Sequence, residues 1–139
     1  MPHGALSLEL SSLLDASLAI AQNSYAPYSG FKVGAALLLS SGAIVTGTNV
    51  ENVSYGLTIC AERAALVRAV AECGPGLRIR AVAVANLNNA ASPPCGACRQ
   101  MLAEFAEPDA EIVFFADDQV RSMRFAELLP LAFNTNMKA

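Results

Sequence analysis

Two helix-forming stretches of this chain each hold a cysteine at or near their start, and a β-suited run lies between them. The first, Thr58–Glu72 (TICAERAALVRAVAE), closes at Cys73-Gly74-Pro75-Gly76, where glycine and proline stop a helix. The second, Cys95–Glu107, follows Pro93-Pro94 and is expected to stop at Pro108. Between them, Leu77–Ala85 alternates as a strand does, and Asn86–Pro94 reads as a loop. Strands alternating with helices confine the chain to a layered α/β architecture in which the later crossovers join parallel strands. The two alanine-rich helices are expected side by side on one face.

The flanking segments complete a mixed sheet. Residues 7–22 place Leu10, Leu13, Leu14, Leu18 and Ala21 at helical spacings, with Ser7 as N-cap. Tyr25–Gly30 has turn chemistry. Phe31–Leu39 and Ala43–Thr48 are joined by Ser40-Ser41-Gly42 and read as an antiparallel hairpin, and Asn49–Leu57 as a loop. Glu111–Ala116 is a buried strand, Val120–Phe125 a further strand, and Ala126–Leu131 a short helical turn ending near Pro130. With no repeat, linker or low-complexity tract, residues 1–139 are expected to form a single domain.

Composition limits what this unit does. Its 54% apolar residues exclude disorder, and its 15% charged residues fall well below the usual ~25%. So few charges leave apolar surface to be covered by a partner, which favours an oligomer. The net charge of -3, with nine Lys and Arg against twelve Asp and Glu, provides no basic footprint for nucleic acid or an anionic membrane. The N-terminus lacks a basic region and carries Glu9 and Asp15 in its apolar run, so it makes a poor secretion signal. No 18-residue stretch is apolar throughout. A soluble, cytoplasmic protein is expected, in which cysteines serve as metal ligands or buried thiols rather than disulfides.

Of the four cysteines, Cys60, Cys95 and Cys98 sit at the two helix starts, where helix dipoles favour thiolates. Cys95 and Cys98, three apart, share a helical face and can hold one zinc. Cys73 lies thirteen residues beyond Cys60 on the same helix, about 20 Å away at ~1.5 Å per residue, so one metal cannot take both. Cys73 is expected to be a small buried residue near the helix end. The sole histidine, His3, is near the chain terminus. Three protein ligands leave the fourth position to water, the arrangement of a catalytic zinc. Three thiolates also leave the centre one net negative charge, which Arg63 or Arg99 could offset by donating to sulfur. Glu62 could move protons for the bound water, provided that Cys60 occupies the cap, because residues two apart on a helix diverge by about 200°. A redox Cys-x-x-Cys at Cys95–Cys98 is the competing reading, but it leaves Cys60 and Glu62 unexplained.

With these residues the chain resembles the zinc deaminases, whose signature is a ligand-x-Glu followed by Pro-Cys-x-x-Cys. Here the matching runs are Cys60-Ala61-Glu62-Arg63 and Pro94-Cys95-Gly96-Ala97-Cys98-Arg99-Gln100, a three-cysteine form. The similarity extends to the short-chain cytidine deaminases through Tyr25–Ser29, Phe31–Ala36, Asn49-Val50-Glu51-Asn52, Tyr55, Glu127–Pro130 and Phe133. It implies a three-layer α/β/α fold with a mixed five-stranded sheet. It also implies hydrolytic deamination of cytidine and 2′-deoxycytidine in pyrimidine salvage, one zinc per subunit, and a homotetramer with active sites at subunit contacts.

By the same resemblance Cys60, Cys95 and Cys98 bind zinc, zinc-bound hydroxide attacks C4, and Glu62 shuttles protons. Asn49 and Glu51 would hold the ribose 3′-OH, Phe31 would pack on the nucleoside, and the Ala61 N–H would bind the pyrimidine carbonyl. Arg63 would be the cation beside the thiolates, and Tyr55 and Phe133 would reach a neighbouring subunit's site. Taken alone, Asn49 and Glu51 also read as a polar loop before a helix, and Phe31 as a core strand residue. Within the fold, the rivals are deaminases of a nucleoside antibiotic such as blasticidin S, of polynucleotides, or of deoxycytidylate. From another class, the rival is a zinc-stabilised binding module without chemistry.

Overall fold

In the computed structural model, which describes residues 6–134, the first helix starts where its cap predicts. The Ser7 hydroxyl accepts the Leu10 N–H at 3.1 Å, and α1 runs Leu8–Ala21. It buries Leu10, Leu13, Leu14, Ser17 and Ala21, while Leu18, expected on that face, sits at its rim and is 36% exposed. The hairpin forms as β1 (Val33–Leu39) and β2 (Ile44–Thr48). Then follow α2 (Ala61–Cys73), β3 (Ile79–Asn86), α3 (Gly96–Ala103), β4 (Ala106–Ala116), β5 (Gln119–Arg124) and the one-turn α4 (Phe125–Leu128).

The five strands form one mixed sheet in the order β2-β1-β3-β4-β5. Strand β1 pairs antiparallel with both β2 and β3, β3 with β4 parallel, and β4 with β5 antiparallel. The crossovers from β2 to β3 and from β3 to β4 therefore join parallel strands as expected, although β1 intervenes in the first. Flanked by β2 and β3 and covered on both faces, β1 is buried along its whole length, and its alternate residues serve two cores. Ala36 and Leu38 meet Leu10, Leu13 and Leu14 of α1 on one face. Ala35, Leu37 and Leu39 meet Ala65, Leu66 and Ala69 of α2, together with Leu102, Phe125 and Leu128, on the other. This is the three-layer arrangement, with α1 on one side of the sheet and α2, α3 and α4 on the other.

Two glycines set how closely the layers approach. A Cβ on Gly34 would lie 2.0 Å from the Ser17 carbonyl oxygen of α1, and one on Gly47 would lie 2.4 Å from the Ala65 nitrogen of α2. Each strand thus touches helix backbone where it lacks a side chain.

Several strand and helix boundaries shift by a few residues from expectation, and three of the differences have a visible cause. Helix α2 starts at Ala61 rather than Thr58, because Ile59 exchanges backbone hydrogen bonds with Val50 at 2.9 and 3.0 Å and stays extended. Asn49–Leu57 is not all loop, since Tyr55–Leu57 form a turn of 3₁₀ helix. Helix α3 ends at Ala103, and β4 begins at Ala106, so Pro108 lies inside a strand instead of stopping a helix. The strand tolerates it because the ladder is interrupted there: Ile79 pairs with Ala106 and Ala81 with Glu111, so two steps along β3 span five along β4. No N–H is required of the proline in such a bulge. Arg78 secures the segment by donating to the carbonyls of Glu104 at 3.3 Å and Ala106 at 2.8 Å. Cys73 corrects a further expectation: it ends α2 exposed, not buried. His3 lies outside the described residues. Among the described residues no helix is long and apolar enough to cross a membrane.

Candidate metal centre and active site

Because β2 and β3 run the same way, α2 and α3 begin at the same edge of the sheet. Cys60 and Cys95 are their N-caps, both extended (φ -73°, ψ 154° and φ -69°, ψ 166°), and neither side chain caps its own helix. The sulfurs are therefore free to face each other. Cys60 Sγ lies 3.8 Å from Cys95 Sγ, which lies 3.4 Å from Cys98 Sγ, and all three fall within 4.8 Å of one another. Tetrahedral Zn–S bonds of ~2.3 Å set sulfurs about 3.8 Å apart, so this triangle suits one zinc. Among the described residues the cluster consists of these three thiols, and exposed Cys73 is not part of it.

The surroundings favour negative sulfur. The Cys60 thiol is pulled down to about 5, chiefly by a hydrogen bond from Cys98 and further by Arg63 and Cys95. Cys98, which keeps the proton of that pair and is fully buried, is pushed up. The Arg63 Nη2 lies 3.5 Å from Cys60 Sγ, so Arg63 is the cation at the cluster. Its Nε is buried and has no partner among the described residues. Arg99, the other candidate, instead donates to the carbonyls of Pro94 and Leu128, each at 2.8 Å, and so braces the Cys95 loop against α4.

Glu62, one residue into α2 beyond Ala61, is 4% exposed. Burial raises its carboxyl to about 7, and the charge of Cys60 adds to the rise. Cys60, Cys95, Ala61 and Glu62 line a cleft of about 310 Å³ with Phe31, Asn49 and Glu51. That volume sits at the low end of small-molecule sites, ~300–1,000 Å³. A second cleft of about 320 Å³, lined by Asn89, Phe115, Asp117 and Asp118, opens beside it and contains neither the thiols nor Glu62.

The sequence-selected residues thus converge, with two exceptions. Phe31, expected in the first strand, lies just before β1; it packs on the edge of the core and also lines the cleft. Tyr55 and Phe133 are 75% and 74% exposed and line no part of the thiol cleft. Tyr55 borders an adjoining hollow with Tyr28, Ser29, Glu51 and Thr58. Phe133 is tied to α3 by its carbonyl, which accepts from the Gln100 amide at 3.0 Å. The far wall, made by Val84, Ala91, Ser92 and Pro93, went unrecognised in the sequence because its residues are too common to signal anything. Ser24 and Ser29 were also missed as individual partners of Asn49 and Glu51, to which both hydrogen bond. Short hydroxyl residues flanking a turn are the signal that could have found them.

Known proteins resemble this chain over most of its length. Residues 8–116 match the family model described as the cytidine and deoxycytidylate deaminase zinc-binding region. A cytidine deaminase from Halalkalibacterium halodurans is 42% identical over 123 residues, covering 87% of this chain and 91% of that protein. One from Mycobacterium tuberculosis is 48% identical over 113 residues, covering 81% and 80%. The crystal structure of cytidine deaminase from Burkholderia pseudomallei superposes with a TM-score of 0.79 at 43% identity, covering 96% of this chain and all of that one.

Proposed function

Since the chain belongs to the cytidine and deoxycytidylate deaminase zinc-binding family, we propose that it hydrolyses cytidine and 2′-deoxycytidine to uridine and 2′-deoxyuridine, releasing ammonia. The observation that carries this reading is the buried carboxyl of Glu62 beside three thiols in a nucleoside-sized cleft. Cys60, Cys95 and Cys98 hold the zinc, one per subunit. Bound there, zinc supplies the Lewis acidity that lowers the pKa of water towards ~7.

Glu62 manages the protons. It takes one from water and delivers it to N3 of the ring, then passes the second to the departing amino nitrogen. The C4–O bond forms first, as N3 gains its proton, and the C4–N bond then breaks as the protonated amine leaves as ammonia, with no change of oxidation state. A carboxyl whose burial holds it near neutrality can both accept and donate at working pH. The Ala61 N–H, in the first turn of α2, donates to the pyrimidine carbonyl. Phe31 packs on the nucleoside, and Asn49 and Glu51 take the ribose 3′-OH. Arg63 offsets the surplus negative charge of three thiolates.

A nucleoside is favoured over deoxycytidylate because, among the described residues, neither the thiol cleft nor its adjoining hollow is lined by Lys or Arg to meet a phosphate. In this reading residues 1–139 are one catalytic domain that works in the cytoplasm, where thiols stay reduced. It acts as a homotetramer in which exposed Tyr55 and Phe133 reach neighbouring sites.

The test is Glu62→Gln, followed by the ultraviolet absorbance of cytidine. The variant should keep its zinc and fold while turnover falls at least ~10²–10⁴-fold, because the proton carrier is lost and the ligands are not. Near-normal turnover would overturn the mechanism.

A further inference from the structure

Asn49 and Glu51 are held from behind by a segment that the mechanism does not use. Tyr25 lies against Asn49–Glu51 as a bridge, its N–H donating to the Asn49 carbonyl at 3.2 Å and its carbonyl accepting the Glu51 N–H at 2.9 Å. A serine sits on each side of this seam, Ser24 before it and Ser29 after it.

A count of the hydrogen bonds shows what these serines do. The Asn49 amide has two N–H donors and an oxygen with two lone pairs. Its Oδ1 accepts the Val33 N–H at 3.0 Å and the Ser24 hydroxyl, so both lone pairs are used. Its Nδ2 donates to the Phe31 carbonyl at 2.8 Å, which leaves one N–H. The amide cannot be reversed, because that would set N–H against the Val33 N–H and oxygen against the Phe31 carbonyl.

The Glu51 carboxylate has about four acceptor sites. Oε1 takes the N–H groups of Tyr28 and Ser29 at 3.0 and 3.1 Å, and Oε2 takes the Ser29 hydroxyl. One site remains, on Oε2. Ser29 Oγ also accepts the Phe31 N–H at 3.0 Å, so Phe31, Asn49 and Glu51 are linked through their backbone and side-chain bonds. The pair offers the cleft one donor and one acceptor, the complement of a single hydroxyl group.

We propose that Ser24 and Ser29 are positioning residues that saturate the back of the Asn49–Glu51 pair, so that it accepts one sugar hydroxyl, the ribose 3′-OH, as donor and acceptor together. This rests on the cytidine reading above. Without Ser24 the amide oxygen regains an open lone pair, and without the Ser29 hydroxyl the carboxylate regains a second open site on Oε2 while Oε1 stays held by two N–H groups. In either case the match to one hydroxyl is lost, while the thiols and Glu62 are untouched.

The experiment compares cytidine with 3′-deoxycytidine in the wild type, Ser24→Ala and Ser29→Ala. Binding of uridine and 3′-deoxyuridine as product ligands serves as a second readout. In the wild type, removing the hydroxyl should cost at least about 10²-fold in kcat/KM, because it strands two polar groups. Each alanine variant should lose about tenfold on cytidine, through KM, and less than about twofold on 3′-deoxycytidine, with the product ligands following the same pattern. Ser24→Thr and Ser29→Thr, which keep the hydroxyl, should restore discrimination. Equal losses on both substrates, or no loss on cytidine, would overturn the proposal while leaving the deaminase reading intact. A zinc-loaded wild type that leaves cytidine unchanged would overturn both.

Discussion

Cys60 serves the cluster and the cleft together only because it is a cap. Inside a helix, Cys60 and Glu62 would diverge by about 200°. At the N-cap, with ψ at 154°, the cysteine leaves the helical path and both side chains reach one cleft. Cys95 repeats the arrangement on α3, so Cys95→Ser should remove a ligand without unwinding the helix. Zinc affinity, read by chelator competition, should fall by more than the ~10–100-fold that loss of an outer-shell partner costs, and turnover should fall with it. Glu51 provides a pH prediction. The Ser29 hydroxyl, with the Tyr28 and Ser29 N–H groups, holds its carboxyl below the ordinary 4.5. A depressed native value means the interaction is complete above about pH 4.5 and is lost as pH falls through the lower value. KM for cytidine should therefore stay flat down to the ordinary carboxylate range and rise below it, whereas Ser29→Ala should move that rise to higher pH.

Among the elements, the packing of α2 on β2 decides where the site residues lie. Gly47 lets the helix backbone approach, and α2 carries Ala61, Glu62 and Arg63 in its first turn. Gly47→Ala must push helix and strand apart. A loss of about 1–3 kcal/mol is expected in denaturant unfolding, together with a lower kcat, because the cleft is set by that spacing. Gly42→Ala is the control, since its Cβ meets nothing within 4 Å; its φ of +97° costs stability in the turn but leaves α2 in place. Arg99 makes the matching tie on α3, bracing Pro94 against α4 through two carbonyls.

At the scale of the whole molecule, the shortage of charge corresponds to definite residues. Val53, Tyr55 and Leu57 are 74%, 75% and 65% exposed on the segment leading into α2, beside the hollow that adjoins the thiol cleft. An apolar group of this kind marks an interface, and the proposed tetramer would cover it. Leu57→Asp should therefore lower the assembly state in sedimentation and reduce kcat/KM while zinc is retained. An active, stable monomer would show that the surface serves another purpose.

What the sequence alone determined is the chemistry that depends on short spacing. Cys95 and Cys98 share a face and Ser7 caps α1, because a helix start ties residues three apart with no help from the rest of the chain, and Cys60 joins Glu62 at a helix start as its cap. The hairpin around Ser40–Gly42 was legible for a different local reason, a short turn between two adjoining β-suited runs. Tertiary structure decided the rest. It put β1 between β2 and β3, drew Pro108 into an interrupted ladder, and left Cys73 exposed. It also set Ser24 and Ser29 behind Asn49 and Glu51, across 25 and 22 residues of sequence. Such pairings arise from which strands meet and in what register, and no local spacing encodes them.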